Sequence, residues 1–321
     1  MNRLNGFTKP MLWIPALLLT AIVAGCGGND PILGSGTALS SGPSGVTAAN
    51  ILGKAAPFGI ASTAGMTNTN TLPLTSINGD VVLASTSTCN GTAASGVIAG
   101  PGSAGFGSCG ATTPTSVPAL NGQVYITGDA PTAGVISDLK AGFLKLTPPA
   151  GPPAAGSLGG ATNLPAGTTL GAVSGSALVL NDNLFYPGVY QSLTSIMVTG
   201  DLTLDAQGNP DAVFVFQSSS SVGTAAGGPT PASRTRILLV NGAKASNVWW
   251  QAATSATLGL YSEFQGNILA SASITMKTGA TSCGRLLAGA FTAGAFVFDA
   301  NVVSVPGQPF APPAGYSTTC Q

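Results

Sequence analysis

The feature that most constrains this chain is a recurrence of 18 residues in its carboxy-terminal third. Trp250, Ile268 and Leu286 recur at that spacing within SNVWWQAA, GNILASAS and GRLLAGAF, and Leu258 and Met276 do so within SATLG and SITMK. Over residues 199–305, short apolar segments return at about this interval, each followed by a segment in which Ser and Thr alternate with apolar residues. A period of this length means stacked units, each burying its apolar side against the next. One turn of a β-solenoid accounts for both series.

The strands divide into two kinds. Segments such as VFVF, ILLV, VWW and ILA are apolar on both sides, as expected of strands covered on both faces. Segments 255–259 and 273–276 alternate instead, which points Ala256, Leu258, Ile274 and Met276 inward and Ser255, Thr257, Ser273 and Thr275 outward. Val222 between Ser221 and Gly223, and Phe296-Val297-Phe298 after an outward Ala295, can continue the same sheet. Thr278-Gly279-Ala280-Thr281 follows directly, so Thr278 and Thr281 are expected at the edge of this ladder of small side chains. Gly223 and Val297 stand where a regular array would carry Thr, and Lys277 lies at the edge.

Composition excludes several functions. There are 10 Lys+Arg against 10 Asp+Glu and no His, so acid–base chemistry has few candidates and the clustered cations needed for nucleic acid or an anionic membrane surface are lacking. With 45 Gly and 23 Pro a disordered chain is the first alternative, but the long apolar runs argue against it beyond the first segment. A solenoid can also be a polysaccharide lyase or hydrolase, which needs paired carboxylates or a basic residue beside calcium. Asp201, Asp205, Asn209 and Asp211 form the acidic cluster worth considering, yet their order lacks calcium-loop spacing and reads as a turn. Arg285 reads as a corner residue that caps carbonyls or pairs with a carboxylate such as Asp299. No catalytic residue, metal or cofactor is expected.

The amino terminus reads as a secretion signal over residues 1–25, with Arg3 and Lys9 before an apolar run. Val23-Ala24-Gly25-Cys26 looks like a bacterial lipobox, which implies cleavage before Cys26, acylation of its thiol and a membrane anchor. A transmembrane anchor is the alternative, for which the apolar run is short of the ~20 residues a bilayer needs. Gly27 and Gly28 after the cysteine favour the outer membrane. Residues 26–46 are Gly/Ser/Pro-rich and read as a flexible tether, residues 47–310 as one domain and residues 311–321 as a tail. Cys89, Cys109, Cys283 and Cys320 remain, an even number in an exported chain, so two disulfides are expected. Sequence leaves three pairings open; proximity favours Cys89 with Cys109 and Cys283 with Cys320. Residues 132–146 carry the one strong helix signal, with Val135, Ile136, Leu139, Phe143 and Leu146 on one side, while 83–123 reads as a surface excursion.

The wording TGDLTLDAQGNPDAVFVFQSSSS, RILLVNGAKASNVWWQAATSATLG, FQGNILASASITMKTGATSCGRLLAGAF and FVFDANVV resembles the microbial ice-binding (antifreeze) protein family. Residues 47–61, Met66-Thr67-Asn68-Thr69 and Ile77-Asn78-Gly79-Asp80 resemble its opening segment and first coil. The resemblance implies a mainly β fold, a discontinuous right-handed β-solenoid with one long α-helix packed alongside. It also implies a protein that acts as a monomer and adsorbs to the surface of ice crystals through the Ser/Thr face. A lipid-anchored adhesin or structural envelope module of the same fold, without ice activity, is the competing reading.

Overall fold

The computed structural model describes residues 42–68, 75–84, 88–91, 119–122, 124–126, 133–148, 158, 161–164, 166–171, 183–308, 310, 312–316 and 320. Within them the chain winds in coils of three short parallel strands. One coil runs through Arg236–Val240, Val248–Ala252 and Ala256–Leu258 before Glu263–Gln265 begins the next. Strands at equivalent places pair across successive coils, giving one nine-stranded and two eight-stranded sheets that enclose a common core.

Trp250 pairs with Ile268 and Ile268 with Leu286, so the 18-residue recurrence is one coil. The recurrence does not extend evenly over residues 199–305. Phe216 sits directly beside Trp250, 34 residues on, because the turns at 225–235 and 241–247 carry the extra residues, including the short 3-10 segments Pro231–Ser233 and Ala245–Asn247. The solenoid is discontinuous in chain order. Phe58–Ser62 pairs with Leu286–Ala288, so the first coils stack on the last, whereas Thr162–Leu164 closes the nine-stranded sheet at its other end.

Two apolar layers hold the stack together. Inside, Tyr190, Phe216 and Trp250 stack from coil to coil, with Phe216 and Trp250 at 4.2 Å between ring centroids. Outside the nine-stranded sheet, Val215, Trp249, Leu269 and Leu287 meet Val135, Leu139, Phe143 and Leu146 of helix Val135–Leu146. The two adjacent tryptophans therefore serve different layers. Gly142 permits the close crossing of this helix over Ala48–Leu52, since a Cβ there would come 2.4 Å from the Ile51 carbonyl oxygen. The helix begins at Val135 after Gly134 at φ 89°, inside the expected span; residues 131–132 lie outside the described residues. Gln217 Nε2 donates to the Leu146 carbonyl at 2.7 Å and satisfies the helix end.

The eight-stranded sheet that contains Asp201–Asp205, Arg236–Val240, Glu263–Gln265, Thr281–Cys283 and Val302–Ser304, the third sheet, is covered along part of its length by the carboxy-terminal tail. Its outward Glu263, Gln265, Thr281, Cys283 and Ser304 are all buried. A disulfide joins Cys283 to Cys320, Tyr316 Oη donates to the Gly279 carbonyl at 2.8 Å, and Arg234 bonds the Gly315 carbonyl. Arg234 also pairs with Glu263 at 3.0 Å and lies over the Tyr316 ring. Cys89 belongs to the edge strand Thr88–Gly91, whereas Cys109 and Cys26 lie outside the described residues, as do most of 83–123 and the segment 1–41.

The acidic cluster makes turns and an ion pair. Asp201 forms a forked pair with Arg236, with Nε at 2.8 Å, and Asp205 accepts from the Gln207 amide and from Asn241 Nδ2. Asn209 Oδ1 accepts from the Asp211 amide. Arg285 donates to the Ala56 carbonyl at 2.7 Å and to Asn267 Oδ1 at 3.2 Å, so it caps carbonyl groups, and burial pulls its pKa below the usual value. The Asp299 carboxylate takes the Thr278 hydroxyl instead.

Candidate functional site

The remaining eight-stranded sheet is built from the alternating segments. Its order is Thr88–Gly91, Gly65–Asn68, Ala295–Phe298, Ile274–Met276, Ala256–Leu258, Val222–Thr224, Ile196–Val198 and Thr168–Leu170. Ile196, Val222, Ala256, Ile274, Phe296 and Met66 form one buried inward row, and Val198, Leu258, Met276 and Phe298 belong to a second. Period-two alternation then forces the residues between these rows outward.

That outward row follows from the pairing register. It reads Thr169, Met197, Gly223, Thr257, Thr275, Val297 and Thr67, with Asn90 at the same register beyond them. Thr257 and Val297 are exposed, and Thr67, Thr169, Met197 and Thr275 are half-buried. On the nine-stranded sheet the helix buries most of the corresponding side chains, and on the third sheet the tail buries those from Glu263 to Ser304. No residue of the row carries a charge. Neighbours along it repeat at the strand spacing of ~4.7–4.9 Å. A Cβ on Gly223 would lie 3.3 Å from Met197 Cε, so the Met197 side chain leans across the gap that this glycine leaves.

The residues singled out from sequence do not all share this surface. Thr257 and Thr275 pair directly, and Ser255 and Ser273 stand one residue before the same strands, where both are half-buried. The Ser255 carbonyl accepts from the Val222 amide and that of Ser273 from the Ala256 amide. The Ser273 hydroxyl accepts from the Ala295 amide at 3.1 Å and so closes the ladder as well as facing outward. Thr278 is at the corner beyond the sheet, its hydroxyl taken by Asp299. Thr281 is not on this surface. It is 3% exposed in strand Thr281–Cys283 of the third sheet, between Glu263 and Val302. Lys277 is exposed beside the sheet, as expected of an edge residue.

Thr67, Thr169 and Met197 complete the row and were not assigned to it from sequence. The alternation in Met66-Thr67-Asn68 and Ile196-Met197-Val198 carried the signal, but their partners lie in distant or unevenly spaced coils.

Three parallel sheets wound as a split solenoid, with a helix on one sheet and a bare row of small uncharged side chains on another, define the architectural class. The chain belongs to the Ice-binding-like family, whose model matches residues 60–303. Over 119 residues it is 47% identical to an ice-binding protein of Nostoc sp. (strain HG1), which covers 37% of this chain and 40% of that protein. Over 120 residues it is 36% identical to one from Flavobacterium frigoris (strain PS1), covering 37% and 39% of the two chains. The chain thus spans about 40% of the length of these relatives. Among solved structures, an ice binding protein from an Antarctic biological consortium superposes with a TM-score of 0.55 at 29% identity, covering 79% of this chain and 90% of that one. The domain of Shewanella frigidimarina ice-binding protein_1 shares the fold, with a TM-score of 0.57 at 23% identity over 79% and 95% of the chains.

Proposed function

We propose that this protein adsorbs to ice through the row Thr67, Val297, Thr275 and Thr257, flanked by Ser255 and Ser273, and thereby inhibits ice growth or recrystallisation. The observation that carries the reading is an uncharged, evenly spaced outward row on the one sheet that neither helix nor tail buries, in a chain of the Ice-binding-like family. Strand spacing and the ~6.5–7 Å repeat between alternate residues are lengths comparable with those on ice surfaces. A threonine holds ordered water with its hydroxyl while its methyl shapes the cage, and its stiff rotamer limits the entropy lost on binding. Val297 supports the methyl part of this role. A charged group would impose hydration that fits a lattice poorly. Adsorption of this kind involves no cofactor and no turnover, and a monomer suffices.

The same reading places the protein in the cell envelope of a bacterium, exported and held by acyl chains on Cys26, with the outer membrane favoured by Gly27 and Gly28. The purified chain should partition into a growing ice hemisphere and shape ice crystals. A folded protein that does neither would hand the role to the envelope-module alternative.

A further inference from the structure

We infer that the protein's amino-terminal root turns the Ser/Thr sheet away from the surface that anchors it, so that the anchored molecule presents this sheet to ice outside the cell. The inference rests on the ice-adsorption reading and on attachment through Cys26, and adds to them an orientation and a role in adhesion.

Each coil passes from the third sheet to the helix-covered sheet and then to the Ser/Thr sheet. The stretch Arg236–Val240, Val248–Ala252 and Ala256–Leu258 is one such circuit. In a three-sided coil, the corner between the first two sheets is the one that the Ser/Thr sheet does not border. Residues 42–47 lie in that corner. They line a groove of about 300 Å³ together with Asp211, Val213 and Asn247, all of which precede strands of the helix-covered sheet.

The root is clamped there. A Cβ on Gly42 would come 2.2 Å from the Val213 carbonyl oxygen, which leaves room for glycine alone. Val46 is 3% exposed within the helix cluster, Thr47 Oγ1 caps Ala48–Leu52 by accepting from the Asn50 amide, and Asn50 Nδ2 donates to the Gly45 carbonyl at 3.0 Å. The other end of the chain is held on the third sheet by the Cys283–Cys320 bond. The Ser/Thr sheet is therefore the side farthest from the root.

The length of residues 27–41 provides the test. A biotin acceptor peptide replaces residues 1–26, and the protein is coupled to streptavidin-bearing phosphatidylcholine–phosphatidylglycerol vesicles, either with residues 27–41 or with these deleted. Vesicle capture by a growing ice hemisphere is measured, alongside partition of the same two proteins uncoupled. Outward presentation predicts that vesicle capture survives the deletion within about twofold, because the sheet stays on the far side of the domain from the bilayer however short the tether. Loss of capture by about tenfold or more, with both uncoupled proteins still entering ice, would overturn the orientation while leaving the ice reading intact. If the uncoupled proteins fail to enter ice, the ice reading falls and this inference with it.

Discussion

Thr257 and Thr275 are 18 residues apart in the chain and nearest neighbours across the sheet, one exposed and one half-buried. Removing one hydroxyl deletes one of many weak contacts. A phenol ring at the same place would hold an approaching ice surface off its neighbours along the row. Thr257→Tyr and Thr275→Tyr should therefore each reduce ice partition by about tenfold or more, roughly 1.4 kcal/mol, while Thr257→Ser changes it little. Thr203→Tyr, on the half-buried outward side of the third sheet, is the control and should retain activity. Circular dichroism checks the fold of each. Full activity in both tyrosine variants would exclude this row as the contact surface. A second residue-scale prediction concerns backbone strain. Ala300 holds φ 53° at a corner equivalent to the one where Gly279 sits at φ 71°. A side chain in the left-handed region costs about 1 kcal/mol, so Ala300→Gly should stabilise the protein by about 0.5–1 kcal/mol, seen as a raised Tm. A lowered Tm would mean that packing of the nearly buried methyl outweighs the strain.

The elements differ in how much of them sequence disclosed, for physical reasons. Coils from Trp250 onward have turns of nearly constant length, so their period is visible in sequence, whereas the long turns at 225–235 and 241–247 hide the neighbour relation of Phe216 and Trp250. Alternation assigned Leu258 and Ile274 inward because a strand has one period. It does not follow the chain around the corner after Met276, so Thr281, expected at the edge of the Ser/Thr ladder, lies instead in a strand of the third sheet. Nor could it bring Thr67 beside Val297, whose pairing depends on the early coils stacking on the last ones. The inward assignment has its own test: Leu258→Asp should unfold the domain, since an unpaired buried charge costs several kcal/mol, and an unchanged melting curve would refute it. The tail was legible as a segment but not as a cover. Its disulfide closes a separation of 37 residues over the buried Arg234–Glu263 pair. Cys320→Ser should leave the solenoid folded but open residues 305–321 to proteolysis at a rate well above that of the parent chain. The loss in global stability should reach at most the ~3–4 kcal/mol that loop closure can supply. Equal protease resistance would show that Tyr316 and Arg234 hold the tail unaided.

The whole molecule combines a formal net charge of zero with a solenoid whose bare sheet carries no charge in its central row. Such a body has little electrostatic hold on an anionic membrane, where binding grows with each clustered cation. The lysines on the helix-bearing side, Lys54, Lys140 and Lys145, are too few to hold a protein at an envelope by charge. The envelope location proposed above would therefore require covalent lipid, for which the lipobox-like Val23-Ala24-Gly25-Cys26 would supply the thiol. One acyl chain gives only marginal attachment, with an association constant of about 10⁴ M⁻¹, whereas the diacylglycerol that such a cysteine receives in bacteria provides two chains and stable anchoring. Expressed in a bacterial host, the chain should incorporate a fatty-acid probe and sediment with membranes, and Cys26→Ser should abolish the label and release or stall the protein. Because residues 42–320 contain the whole described solenoid, any Cys26→Ser protein that is released should still partition into ice. Labelling that persists without Cys26, or membrane retention of the unlabelled variant, would exclude the acyl anchor on Cys26 and leave the sheet proposed to adsorb to ice without that tether.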